Sequence, residues 1–212
     1  MSMFDQTCCC VGIVPKGFFW DYYDENNEKY QEYLRLLEYV IERDISKNGF
    51  NYFISLGLHG ASMDFAETII RLRIKYPCIR LTIVLPYSNF PLKWSLKDNQ
   101  RYENILNNAD TVHSFSYHSY SWGINRCGQY IVKNSKKVLV IWNADRKESM
   151  YNAIRYAEKK NRSTEYIMLP ALNVKVFEKE MHKYIEYNCS LEERKSKDKA
   201  CEKILNKLKK II

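Results

Sequence analysis

Two glycines three residues apart, Gly57 and Gly60, mark the part of this chain whose residue types favour ligand chemistry. They follow a β-branched and aromatic run and precede a helical pattern, which predicts a strand, a glycine turn and a helix N-terminus. N–H groups at a helix start lack intrahelical partners, so they can bind a phosphate or a carboxylate. A tight turn without a ligand is the alternative, because G-x-x-G matches neither the dinucleotide fingerprint nor the P-loop.

Four polar side chains near this turn are candidate ligand-binding residues: Ser55, His59, Ser62 and Glu67. The two serines can offer hydroxyl donors. His59 can contact an anion, although a solvated turn histidine is the simpler interpretation. Glu67 lies about a turn and a half into the predicted helix and would be the general acid of an enzyme. Its alternative role is to satisfy a neighbouring backbone group.

Further candidates follow other predicted strands. Gly12 ends the first strand, and Tyr87 and Trp94 follow the third. Their rings could stack on a base or cover the core. The aromatic segment 114–122 follows the fourth strand and allows the same two interpretations.

Alternating strand and helix patterns must position these residues. Strands are predicted over 8–14, 79–85, 111–115 and 137–142, and a further strand ends near residue 56. The last strand is predicted over 165–169. Helices are predicted over 28–46, 61–75, 101–108, 124–134 and 149–160. This order predicts an α/β fold, a Rossmann-like three-layer sandwich with a mainly parallel sheet. Ligands of such sheets bind outside the carboxyl ends of the strands.

Composition narrows the class of protein. A chain of 212 residues with 46% hydrophobic and 14% aromatic residues suits one well-buried core and excludes a disordered chain. No apolar run approaches the roughly 20 residues of a membrane span, and we predict no signal peptide. Seven cysteines without C-x-x-C pairs favour reduced thiols in a cytoplasmic protein, with no metal site and no cofactor. The consecutive Cys8, Cys9 and Cys10 are expected to be small buried strand residues.

The basic charge is concentrated at one end of the chain. The formal net charge is +8, and apolar residues at helical spacing over 191–212 predict a basic amphipathic helix. We therefore divide the chain into a domain over 1–170 and a helical extension over 171–212. The lysines of the helix are Lys195, Lys197, Lys199, Lys203, Lys207, Lys209 and Lys210. We expect them to be solvated, with contact to nucleic acid or an anionic surface as the alternative. Homo-oligomerisation stays open.

Several segments recur here in an order known from one protein family. They are Gly12 with Pro15, Ser55 to Gly60 leading to Ala66 and Glu67, Lys75-Tyr76-Pro77, Pro86-Tyr87 with Trp94, 101–110, and 138–142 followed by Tyr156-Ala157. In this order and spacing the chain resembles the DUF1273 branch of the SLOG superfamily, which is related to the DprA and LOG proteins. The resemblance runs from about residue 9 to residue 167. It implies a Rossmann-like domain that binds a nucleotide or a nucleotide-derived ligand.

The chain departs from this family's pattern at the rim of the expected pocket. The usual Gly-His-Arg-Pro is Gly-Ile-Val-Pro over 12–15, and the usual acidic residue two places after the second glycine is Ser62. Other departures are Phe90 for Gln, a missing Asn after Arg126, Lys133 and Lys136 for acidic residues, and 146–149 for a glycine-rich turn. These differences predict that the pocket binds the family's usual ligand more weakly.

We therefore expect a module that binds or senses a nucleotide-like ligand and is not an enzyme. Its partly degenerate pocket would lie at the carboxyl edge of the sheet. One alternative is a nucleotide N-glycosidic hydrolase of LOG type with Glu67 as the acid, although the chain lacks the P-G-G-x-G-T-x-x-E motif of LOG enzymes. Another alternative is an interaction protein with a vestigial pocket.

Overall fold

The computed structural model describes residues 2–87, 94–115, 120–145, 150–169, 172–178 and 183–187. Within these ranges eight strands form one sheet. They are β1 (Thr7–Gly12), β2 (Tyr52–Ser55), β3 (Arg80–Leu85), β4 (Thr111–Ser114), β5 (Lys137–Trp142), β6 (Ser163–Met168), β7 (Asn173–Glu178) and β8 (Lys183–Tyr187). The α-helices are α1 (Glu28–Asn48), α2 (Ala61–Leu72), α3 (Leu96–Asn108), α4 (Tyr120–Lys133) and α5 (Tyr151–Lys159).

The sheet has the strand order β4-β3-β2-β1-β5-β6-β7-β8. The first six strands in this order are parallel, and β7 and β8 join antiparallel. The chain runs outward from β1 to β4 and then returns to β5. Because such crossovers are right-handed, α1, α2 and α3 cover one face, while α4 and α5 cover the other. The predicted Rossmann-like three-layer sandwich is confirmed.

The core lies between the central strands and the two helical layers. Cys8, Cys9 and Cys10 are at most 1% exposed, as expected for small strand residues. Burial raises the pKa of the Cys9 thiol to about 12, so the thiol is protonated and unreactive at neutral pH. On the helical side, α1 buries Tyr33 and Leu37 completely against the sheet.

One helix begins earlier than the sequence pattern indicated. α3 starts at Leu96 and not at residue 101, because Ser95 caps it. The Ser95 hydroxyl accepts a hydrogen bond from the N–H of Asp98 at 3.1 Å, which satisfies a donor of the first turn. The extra turn brings Asp98 close to the glycine turn.

A buried ion-pair cluster joins α1, β5 and β6 at the amino edge of the sheet. Lys137 Nζ lies 2.6 Å from Asp44 Oδ1 and 2.5 Å from Glu165 Oε2. Arg43 Nη2 donates to both carboxylate oxygens of Glu165 at 2.6 Å. Burial alone would raise the pKa of Glu165, but the charges of Lys137 and Arg43 lower it to about 2. The cluster therefore stays ionised.

The segment after residue 170 differs from the prediction. The strand over 165–169 was predicted as the last, yet β7 and β8 continue the sheet. The start of the expected helical extension is therefore β structure. The predicted helix over 191–212 lies outside the described residues, as do the turn 146–149, Phe90 and part of the aromatic segment 114–122. In the described part of the chain, no helix is long and apolar enough to cross a bilayer.

Candidate functional site

The glycine turn between β2 and α2 is tightly packed against the segment that follows β1. Gly57 has φ of 59° and Gly60 has φ of 98°, a region that favours glycine. A Cβ atom on Gly60 would lie 2.6 Å from the carbonyl oxygen of Ile13. A Cβ atom on Gly12 would lie 2.5 Å from the Cβ of Ala61. Gly12 and Gly60 thus allow β1 and the segment after it to approach the start of α2, whereas Gly57 packs against Ile83 of β3 and Tyr102 of α3.

The hydroxyl groups of this turn differ in what they contact. Ser55 Oγ donates to the carbonyl of Ser62 at 2.8 Å and accepts from the N–H of Gly57 at 3.3 Å. Ser55 is therefore part of the turn itself. Ser62 is 1% exposed, and its hydroxyl has no hydrogen-bond partner among the described residues. A buried hydroxyl without a partner is costly, so Ser62 is the group here that an additional acceptor or donor would satisfy.

The backbone donors at the start of α2 are partly in use. The N–H of Ala61 donates to the carbonyl of Ile13 at 3.0 Å, and those of Met63 and Asp64 donate to the carbonyl of Gly60. Within the described structure this leaves the N–H groups of Gly60 and Ser62 for an outside acceptor. The predicted anion cradle is therefore narrower than a complete helix N-terminus.

His59 occupies the centre of an aromatic cluster above the turn. Its ring centroid lies 5.0 Å from that of Trp94, 5.8 Å from that of Tyr22 and 5.7 Å from that of Tyr23. Its Nε2 lies 2.9 Å from Asp98 Oδ1. Burial and, to a smaller extent, the charge of Arg101 lower the pKa of His59 against the opposing effect of Asp98, which favours the neutral imidazole at pH 7.

Arg101 on α3 binds two carboxylates of α2. Its Nε and Nη2 donate to the two oxygens of Glu67 at 2.9 and 2.7 Å. Nη2 also donates to Asp64 Oδ1 at 2.9 Å, and Nη1 donates to the Tyr22 hydroxyl at 3.1 Å. Because both oxygens of Glu67 accept from the guanidinium, a role as general acid would first require this ion pair to break.

Asp64 lies behind this ion pair and is fully buried, with its side chain 0% exposed. Its Oδ1 also accepts from the hydroxyls of Tyr22 and Tyr30 at 2.8 and 3.0 Å. Its Oδ2 has no hydrogen-bond partner among the described residues. Burial raises the pKa of Asp64 from 3.8 to about 6, against the opposing charge of Arg101. At neutral pH the ionised form of Asp64 is therefore destabilised by its burial.

A cavity of about 300 Å³ opens where the N-terminal halves of α1, α2 and α3 meet. We call it the tyrosine pocket. Its lining residues are Tyr22, Tyr23, Glu25, Tyr30, Gln31, Leu34, Glu67, Lys97, Asp98 and Arg101. Asp98 also contacts His59, so the tyrosine pocket and the glycine turn are neighbours.

The residues predicted from the sequence fall into three groups. His59, Ser62 and Trp94 lie together around the glycine turn, while Gly12 and Ser55 support it from below. Glu67 lies in the tyrosine pocket, which the sequence did not indicate. Tyr87 and Trp94 are both partly buried and pack against the hydrophobic core, and the Trp94 ring also meets that of Tyr102 edge to face at 5.4 Å.

A comparison with known protein families identifies the fold family. A model named YpsA and described as the YspA SLOG family matches residues 20–172, which is most of the chain. The chain belongs to this SLOG family. The resemblance to the DUF1273 branch of the superfamily is thereby confirmed, and family membership suggests a nucleotide-related role.

Relatives of this SLOG protein occur in several bacteria under the name UPF0398 protein. The one from Brevibacillus brevis is 26% identical over 138 residues, covering 64% of this chain and 69% of the relative. The one from Halalkalibacterium halodurans is 25% identical over 122 residues, covering 57% and 65%. The one from Staphylococcus aureus strain JH9 is 23% identical over 117 residues, covering 54% and 62%. The chain thus matches about two thirds of the length of these relatives.

Proposed function

We propose that this protein binds a nucleotide or nucleotide-derived ligand, without converting it, at the carboxyl edge of the sheet above the glycine turn. The observation that carries the proposal is the position of Trp94 and His59. Their rings are 5.0 Å apart, and they come from the loops that follow two adjacent parallel strands. An aromatic face at this edge suits a base, since stacking on an aromatic side chain contributes about 1–3 kcal/mol per base.

The polar groups under these rings suit the remainder of such a ligand. The N–H groups of Gly60 and Ser62 and the unpartnered Ser62 hydroxyl lie at the positive end of α2, where phosphate oxygens bind favourably. The neutral His59 adds a hydrogen-bonding group without a repelling charge. Family membership supports the same class of ligand.

The way Glu67 is held supports binding without turnover. A general acid needs a proton to donate, and Glu67 instead accepts two hydrogen bonds from Arg101. We therefore propose binding or sensing and not hydrolysis of an N-glycosidic bond.

A vestigial pocket is the second candidate function, and one observation favours it. The carbonyl of Ile13 and the atoms of Val14 and Pro15 fill the space beside Gly60. A ligand that needed the Gly60 backbone from this side would be excluded. The chain would then act through its surfaces alone.

The test is a thermal-shift panel of nucleoside monophosphates, cyclic dinucleotides and ADP-ribose derivatives, followed by titration of the best ligand. Ser62→Ala is expected to raise Kd about 2- to 10-fold, because it removes one hydrogen bond of about 0.5–1.5 kcal/mol. Trp94→Ala is expected to raise Kd at least about 5-fold through lost stacking. Ser135→Ala is the matched control, because this serine is buried like Ser62, at 0% against 1% exposed, but precedes β5 at the opposite edge.

Each outcome separates the two candidate functions. If no compound in the panel stabilises the wild type, the vestigial pocket takes precedence. If Ser62→Ala and Trp94→Ala bind as well as Ser135→Ala does, the ligand binds away from the turn. Gly60→Val is unsuitable for this test, because its side chain would collide with the Ile13 backbone whether or not a ligand is present.

A further inference from the structure

A chain of polar contacts holds His59 in place above the glycine turn. Ser95 Oγ donates to Asp98 Oδ2 at 2.6 Å, within the cap of α3. The other carboxylate oxygen, Asp98 Oδ1, lies 2.9 Å from Nε2 of His59. Asp98 is 2% exposed, so its carboxylate depends on these two neighbours and not on water. The pair has the arrangement in which a carboxylate orients an imidazole ring.

Asp98 determines which nitrogen of the neutral imidazole carries the proton. A bare Nε2 would point its lone pair at a carboxylate oxygen 2.9 Å away, and the two would repel each other. The proton therefore belongs on Nε2. The angle of this contact departs from that of an ideal hydrogen bond, and such bonds often align only in a complex. Because a neutral imidazole has one donor and one acceptor nitrogen, Nδ1 is the acceptor.

Nδ1 is also the nitrogen that a ligand can reach. The His59 side chain is 14% exposed, and its buried nitrogen is Nε2. Nδ1 forms no hydrogen bond with the described residues. The accessible side of the ring therefore presents an acceptor that is still available.

The angle between the rings of His59 and Trp94 places this acceptor at the edge of a stacked base. The ring centroids are 5.0 Å apart, and the ring planes are inclined by 37°. A base that lies flat on the indole beside His59 would therefore meet the edge of the imidazole and not its face. The lone pair of Nδ1 lies in the ring plane at that edge. A donor on the base is favoured there, whereas an acceptor on the base is left unpaired.

We propose that Asp98 and His59 make this site select a nucleobase with an exocyclic amino group, which donates to Nδ1 of His59. Asp98 is a positioning residue, because it acts through His59. A carbonyl oxygen at the same place on the base would face the lone pair of Nδ1. This inference rests on the proposed binding of a nucleotide above the glycine turn, and it specifies the class of base.

The selectivity is tested by calorimetric titration of the full-length protein with five nucleoside monophosphates at pH 7.5. AMP, GMP and CMP carry an exocyclic amino group, whereas IMP and UMP carry none. At least one of the amino nucleotides is expected to bind about 2- to 10-fold more tightly than the comparator of the same ring size, which is the range of one hydrogen bond. His59→Phe keeps an aromatic ring against Trp94 and is expected to remove this preference.

The role of Asp98 is tested with Asp98→Asn. An amide N–H that faces Nε2 moves the proton to Nδ1, as the same change does in a Ser-His-Asp triad, so the preference is expected to disappear or to invert. Heteronuclear NMR spectra of the imidazole nitrogens show the position of the proton without any ligand. The chain has four histidines, and His59→Phe assigns the signal. Glu38→Gln is the matched control, because it removes a carboxylate from an exposed ion pair with Arg71.

Each failure has its own signature. Equal affinity for the amino nucleotides and their comparators would overturn this inference and leave the proposed function standing. If none of the five binds at millimolar concentration, the inference is also overturned, and the rest of the thermal-shift panel decides the proposed function. A wild-type spectrum with the proton on Nδ1, or an equal change of preference in Asp98→Asn and Glu38→Gln, would refute the role of Asp98. Circular dichroism shows whether each variant is folded, and His59→Phe provides the test if Asp98→Asn is not.

Discussion

The buried carboxylate Asp64 makes the stability of this protein depend on pH in an unusual direction. Its pKa is raised by burial from 3.8 to about 6. The folded state therefore binds more protons than the unfolded state between these two values. Asp64 contributes its full stability below the lower value, and that contribution is lost as the pH rises through 6. Asp64→Asn removes this dependence, because an amide does not titrate.

The size of the effect follows from the shift. A shift of about two pKa units corresponds to about 3 kcal/mol at high pH, since one unit is about 1.4 kcal/mol. Integration between about pH 4.5 and pH 7.5 gives a loss of about 2 kcal/mol for the wild type from this group. The free energy of unfolding of Asp64→Asn, relative to the wild type, should rise by that amount over the same range.

Urea unfolding at several pH values, followed by circular dichroism, measures this difference. Tyr22→Phe is the control, because it disrupts the same cluster but keeps the titrating carboxylate. It should be destabilised by about 1 kcal/mol through the loss of a hydrogen bond, and its pH dependence should be retained. A stability difference between Asp64→Asn and the wild type that stays constant with pH would refute the reasoning.

Three further predictions follow from other parts of the structure. Purified protein should release no free base from nucleoside monophosphates by chromatography, and release that Glu67→Gln abolished would contradict the binding proposal. Gly60→Val should fail to fold or lose several kcal/mol, because its Cβ would meet the Ile13 carbonyl at 2.6 Å; thermal unfolding measures this, and a native-like melting temperature would disprove the close packing. Lys137→Met should cost about 3–5 kcal/mol in urea unfolding, since it leaves Asp44 and Glu165 buried without their ammonium partner. A loss below about 1 kcal/mol, the range of an exposed pair, would contradict the burial of that cluster.

Hydrophobic periodicity was sufficient to predict the sheet and its helical layers. The strand β5 was predicted over the residues at which it is found, because a run such as Val138 to Ile141 is buried on both faces. The start of α3 was missed, because its first turn is polar and is fixed by the Ser95 cap. The strands β7 and β8 were missed although N-V-K-V alternates and K-Y-I-E-Y is rich in aromatic and β-branched residues, because the lysine-rich end of the chain was assigned to a helix as a whole.

The candidate site was predictable only where it depends on a short stretch of sequence. The glycine turn is one such stretch, and its position between β2 and α2 followed from the local pattern. The tyrosine pocket is different, because Arg101 and Asp64 are 37 residues apart and Tyr22 lies before α1. Only the packing of three helices brings them together. The cytoplasmic location and the role of the C-terminal lysines stay predictions.

The buried ion-pair cluster of Lys137, Asp44 and Glu165 has a consequence for how the chain reaches its fold. Leu139 on β5 pairs with Glu165 on β6, so Glu165 and Lys137 project from the same face of the sheet. A slip of one residue would turn Glu165 to the opposite face, among the apolar side chains beneath α4 and α5. Apolar side chains can still pack against each other when the pairing is shifted. A buried charge that has lost its partner is costly. The cluster therefore favours the native register of β6 on β5 over a pairing shifted by one residue.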